Sequence, residues 1–206
     1  MMPSRSKDPP ALPNAMMHRM AVLILALGAS IGSWVSPTGA DEATLGGPFE
    51  LIDHNGLTRT AEDFRGSYPL IYFGFTHCPD LCPTSLTAMS RAVDDLAQQA
   101  PAKAERVIPV FITVDPERDT VEAMKDYVGN FHPRLVGLTG SHEQIDHVTR
   151  LYGAFSAPVP GGNGEYLMDH SGFIVLMGPG GEYLTHFESH VQPAELVEEL
   201  DRRVAE

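Results

Sequence analysis

The stretch Phe73-Gly74-Phe75-Thr76-His77-Cys78-Pro79-Asp80-Leu81-Cys82-Pro83 holds the only two cysteines of a 206-residue chain. It follows the apolar run Leu70 to Phe75, which reads as a buried strand, and leads into Thr84 to Gln99, which reads as a helix. Leu86, Met89, Val93 and Leu96 form one stripe of that helix, and Pro83 suits its first turn. Cys82 then falls in the first helical turn and Cys78 just before it. Unpaired backbone N–H groups and the positive end of the helix dipole favour thiolate over thiol there. Three residues separate the thiols, so a local disulfide and a shared soft metal ion both remain open. Zinc fits less well, because a structural zinc site closes on four ligands.

Working outward, Phe49 to Ile52 followed by Asp53-His54-Asn55-Gly56 reads as a strand entering a hairpin turn. Val107 to Val114 is a second buried strand. It ends in Asp115-Pro116-Glu117-Arg118-Asp119-Thr120, where Asp119 and Glu122 have capping-box spacing ahead of a helix through Val121, Met124, Val128 and Phe131. Ile145, Val148 and Tyr152 mark another helix capped by Ser141, and Gly153 to Gly164 reads as a Pro/Gly-rich loop. Gly172 to Met177 and Glu182 to Phe187 suggest a hairpin, and Pro193 to Val204 a closing amphipathic helix. Strands alternating with helices predict an α/β sandwich, a central β-sheet flanked by helices with an N-terminal β-hairpin extension. Cysteines at a strand-to-helix junction fit its thioredoxin-like form.

Charge narrows the partners. The formal charge is −13, and residues 1 to 40 hold three of the 14 basic residues and one of the 27 acidic ones. The remainder is therefore more acidic still, which disfavours nucleic acid and favours a cationic protein surface or a metal ion. Basic residues precede the apolar run Met20 to Val35, and Thr38-Gly39-Ala40 offers a cleavage site. Residues 1–40 thus read as an export signal or a membrane anchor, 41–48 as a linker and 49–206 as the folded domain. Both options put the domain in an extracytoplasmic, oxidising space.

A third metal ligand would come from the nine histidines. His170 follows Asp169, a residue type suited to orienting an imidazole, and precedes an apolar strand. Spacing alone leaves it open between ligand and structural histidine. His77 adjoins Cys78, but neighbours on extended chain point to opposite sides, so it reads as a polar contact. Met168 reads as packing, and Asp115 as a helix-entry residue or a charge near the cysteine loop.

The cysteine segment, Val114-Asp-Pro-Glu-Arg-Asp-Thr120 and Asp169-His-Ser171 together resemble the signature segments of the Sco/SenC family, across roughly residues 45 to 204. That resemblance implies a thioredoxin-like, extracytoplasmic protein, held at the periplasmic side of a bacterial inner membrane or secreted. It implies Cu(I) or Cu(II) held by Cys78, Cys82 and His170, with Asp115 and Asp169 in support. The implied function is a metallochaperone delivering copper to cytochrome c oxidase subunit II, with another copper chaperone or a thiol reductase as further partners. The alternative is a thiol–disulfide oxidoreductase that uses Cys78 and Cys82 to reduce the cysteines of the oxidase copper site. Thioredoxin-type enzymes place a cis-proline before the strand facing their cysteines, and Met168 to Gly172 has no proline. This weighs toward copper carriage.

Overall fold

The computed structural model describes residues 45–161 and 164–206. The expected export segment lies outside the described residues, among which no helix is long and apolar enough to cross a membrane. The expected N-terminal hairpin is formed by β1 (Glu50–Asp53) and β2 (Thr58–Thr60). Asp53 builds its turn by accepting the Asn55 and Leu57 amides at 2.8 and 3.0 Å, while Gly56 takes the left-handed φ of 79°.

A 3-10 turn (Ala61–Phe64) leads to β3 (Tyr68–Gly74), α1 (Leu81–Gln99), a short α2 (Pro101–Arg106) and β4 (Val107–Thr113). Then come α3 (Val121–Val128), β5 (Val136–Thr139) and α4 (His142–Leu151). The hairpin β6 (Ser156–Pro160) and β7 (Tyr166–His170) follows, then β8 (Ile174–Met177), β9 (Tyr183–Phe187) and α5 (Pro193–Arg203). One seven-stranded sheet runs in the order β2-β1-β5-β4-β3-β8-β9. Its β3/β4 and β4/β5 pairs are parallel and joined by helical crossovers, while β8 and β1 add on antiparallel.

Every residue of β3 is buried, so layers cover both faces of the sheet. The helices flank it in the expected α/β sandwich. On α1 the predicted stripe of Leu86, Met89, Val93 and Leu96 is fully buried, each side chain contributing about 1.5–3 kcal/mol. Two prolines sit inside central strands, Pro69 in β3 and Pro109 in β4. Their second neighbours pair only farther along, β8 from Leu70 and β5 from Val110, so the missing N–H groups fall where one flank is open.

Three expectations need correction. The loop predicted at 153–164 contains β6, which pairs with β7 as a separate two-stranded ribbon. Asp119 does not cap α3: Thr120 does, accepting the Ala123 amide at 3.3 Å, and Asp119 is buried instead. The helix after the cysteine loop starts at Leu81 rather than Thr84, which places Cys82 well inside its first turn.

Candidate metal centre

The site lies at the carboxyl ends of the adjacent parallel strands β3 and β4, where open α/β sheets place their functional loops. β3 delivers the cysteine loop, and Val114 N–H bonds to Gly74 C=O at 2.7 Å to tie the two strand ends together. Asp80 occupies the N-cap of α1 without a side-chain cap bond. The Cys82 amide donates instead to Cys78 Sγ at 3.4 Å, so the sulfur takes a helix N-terminal N–H. Cys82 is fully buried and Cys78 half-buried, and both are free thiols.

His170 arrives from the far side as the last residue of β7. Cys78, Cys82 and His170 bring their donor atoms to within 4.8 Å of one another, so the described fold unites the three residues singled out in the sequence. His170 Nε2 is 3.6 Å from Cys82 Sγ, and its ring stands edge-on to Tyr72 and Phe75. Its Nδ1 lies 2.9 Å from the Ser171 carbonyl oxygen, which can only accept. In the neutral ring Nδ1 therefore carries the proton, leaving the lone pair of Nε2 to face the sulfurs as a potential metal ligand. Asp169, the residue expected to orient the imidazole, is exposed, and this backbone carbonyl makes that contact.

The two thiols differ in acidity. A hydrogen bond from the Cys82 side chain is the largest influence on Cys78, and with His170 and the Cys82 and Asp80 amides it outweighs burial and holds Cys78 far below the ordinary thiol range. The same bond, joined by burial, pushes the Cys82 thiol up. Burial opposes charge on His170, but the Cys78 thiolate, the Ser171 carbonyl and the Asp169 charge outweigh it and raise the imidazole. Two sulfurs and one imidazole form a soft, three-donor set suited to Cu(I), and to other thiophilic ions.

Two contacts around the site, those of Tyr72 and Asp119, were not legible in the sequence. Tyr72 O–H donates to Cys82 Sγ at 3.8 Å inside the core. Asp119 accepts the Thr76 amide at 3.0 Å and the hydroxyls of Thr76 and Thr113, both at 2.6 Å, anchoring the cysteine loop to the end of β4. Asp115 is buried, held by Arg118 and by the Tyr166 hydroxyl at 2.9 Å, and makes no direct contact with the three donors. His77 is exposed and bonds Thr76 Oγ1 at 3.0 Å, in keeping with a polar role.

Gly74 matters for what it lacks. A Cβ there would sit 2.6 Å from Cys82 Sγ, 3.0 Å from Phe111 and 3.1 Å from Tyr72. Gly74→Ala is expected to displace the buried sulfur and weaken metal binding by about 10-fold or more, as misplacing ligand supports does. Competition against a chromophoric chelator measures this; unchanged affinity would show that the close approach does not set the sulfur's position.

Comparison with known proteins now decides the family. The SCO1/SenC family model matches residues 37–205. The chain belongs to the SCO1/SenC family. A SCO2-like protein of Rickettsia prowazekii is 46% identical over 160 residues, covering 77% of this chain and 76% of the relative. The crystal structure of Arabidopsis thaliana ScoI with copper bound matches with a TM-score of 0.73 and 39% identity, covering 77% of this chain and 96% of that one. Copper-bound Bradyrhizobium japonicum ScoI gives a TM-score of 0.71 and 40% identity over 78% and 99% of the two chains. These likenesses confirm the thioredoxin-like sandwich of the family. They leave the donor set of this SCO1/SenC chain to be argued from its own geometry.

Proposed function

We propose that this protein is a copper metallochaperone that holds one copper ion on Cys78, Cys82 and His170 and delivers it to the copper centre of cytochrome c oxidase subunit II. The observation that carries this reading is the convergence of two sulfurs and one imidazole nitrogen within 4.8 Å, in a family with copper-bound members. Copper is cargo here, and the donor set suits a cargo. Three soft or borderline ligands bind Cu(I) tightly yet leave a coordination position for an incoming thiolate or imidazole of the acceptor. Cys82 anchors the ion from within the core, while the partly exposed Cys78 and His170 face the side from which an acceptor can approach. The expected N-terminal signal or anchor, residues 1–40, would place the domain at the periplasmic side of a bacterial inner membrane.

Deleting the protein is expected to abolish assembled copper-dependent oxidase activity, with partial restoration by added copper through mass action. Full rescue by Cys78→Ser at ordinary copper levels would overturn the assembly role given to the pair. A second reading is favoured by the unequal acidity of the two thiols, since a low-pKa sulfur beside a protonated one suits disulfide exchange. In that reading the chain reduces the cysteines of the oxidase copper site before the metal arrives.

A further inference from the structure

The ribbon that carries His170 is not part of the main sheet. Strands β6 and β7 pair only with each other, and among the described residues no main-chain ladder joins them to the seven-stranded sheet. At the chain ends of the ribbon, Phe155 and Ser171 close on each other, Ser171 N–H to Phe155 C=O and Phe155 N–H to Ser171 Oγ, both at 2.9 Å. Beyond its chain links to α4 and β8, the polar contacts that seat the ribbon on the fold, among the described residues, all involve side chains. Tyr166, Met168 and His170 alternate with exposed Leu167 and Asp169, so one face of β7 rests on the body of the fold.

Polar contacts from that face to the body are few. His170 meets Cys82 at one end. At the other, the Tyr166 hydroxyl donates to buried Asp115 Oδ1 at 2.9 Å, and Arg118 Nη1 donates to the Tyr166 carbonyl at 2.9 Å. Arg118 also holds the other oxygen of Asp115 through Nε, and its guanidinium stacks on the Tyr166 ring at 3.8 Å and over Phe75 at 5.7 Å. Phe75 in turn contacts the His170 ring, with centroids 5.7 Å apart. One planar cation thus grips the backbone, the ring and the hydroxyl partner of a single residue on β7.

We infer that Arg118 and Tyr166, joined through Asp115, form a clamp that positions His170 against the cysteine pair by seating the β6–β7 ribbon on the loop after β4. Arg118 and Tyr166 are positioning residues: neither touches the three donor atoms. Planarity is what the clamp uses, since the guanidinium stacks and forks at once, and a lysine ammonium would do neither. Tyr166 and His170 are four positions apart, about 13 Å along an extended strand, so loosening one end lets the other swing away from the sulfurs.

The inference rests on His170 being a copper ligand, and the test separates the two claims. Cu(I) affinity would be measured by chelator competition for the wild type, Arg118→Met, Tyr166→Phe, His170→Ala and the double variants with His170→Ala. Amide exchange of residues 156–170 would be followed in the metal-free proteins, with thermal unfolding as a check on folding. Arg118→Met is expected to lower affinity by about 10-fold or more and to speed exchange in the ribbon. Tyr166→Phe, which removes one oxygen, should do the same to a smaller degree and carries the test should Arg118→Met fail to fold. In the His170→Ala background both losses should vanish, because the clamp acts through that ring. Wild-type affinity and exchange in both clamp variants, or a loss that persists undiminished without His170, would overturn the clamp. An unchanged affinity in His170→Ala alone would instead overturn the ligand assignment on which it rests.

Discussion

Replacing His170 with alanine is expected to weaken copper binding at least about 10-fold while leaving the thiols able to cycle between reduced and oxidised forms. The imidazole supplies one of three donors, and its Nε2 is aimed at the sulfurs by the bond from Nδ1 to the Ser171 carbonyl. Both thiols keep their places at the start of α1, with the Cys82 amide still on Cys78 Sγ, so disulfide exchange keeps its geometry. Copper affinity and thiol titration on the same sample measure the two effects. The variant also divides the two functional readings. A carrier that cannot hold copper should fail to support oxidase assembly, whereas a reductase needs only its thiols. Normal assembly with His170→Ala, together with failure of the cysteine variants, would move the oxidoreductase reading to first place.

Asp119→Ala is expected to destabilise the metal-free domain by about 2–3 kcal/mol, the cost of leaving buried donors without an acceptor. The carboxylate takes the Thr76 amide and two threonine hydroxyls, and burial raises its pKa against the pull of those donors. Hydroxyls can turn to other partners, but the Thr76 amide cannot, and it lies two residues before Cys78. The damage should therefore reach the site, with lower copper affinity in whatever fraction remains folded. Asp119→Asn keeps one acceptor oxygen and should lose about half as much. Urea unfolding gives both values, and equal stability of Asp119→Ala and wild type would show that the buried network contributes nothing net.

Much of this was legible in the chain because it is local. The alternation of the buried run ending at Phe75 with the stripe Leu86, Met89, Val93 and Leu96 identified a strand-to-helix junction, and that junction places the cysteines. What stayed hidden depends on contacts distant in sequence or on backbone groups. Ser156-Ala-Pro-Val-Pro160 reads as a loop because two prolines occur in five residues, yet a two-stranded ribbon with open edges tolerates both. Asp119 and Thr120 are adjacent and both are of residue types that can cap a helix. Glu122 made the first look like the cap, but Thr120 adjoins Val121, where the helix begins, and Asp119 turns inward to serve Thr76. The His170 orienter is a main-chain carbonyl, which no side-chain motif can announce. Gly74 has an ordinary backbone conformation, and only the nearness of Cys82 Sγ explains it.

Copper stoichiometry of a purified fragment, residues 41–206, measured in parallel with free thiols, tests the central claim most directly. With Cys78 and Cys82 reduced, the account predicts about one copper per chain, because among the described residues one set of three soft or borderline donors converges. After oxidation to the Cys78–Cys82 disulfide both sulfurs are lost as thiolate ligands, and copper should be absent. Full copper occupancy in the oxidised protein would contradict the account, since the cysteines could not then be the site.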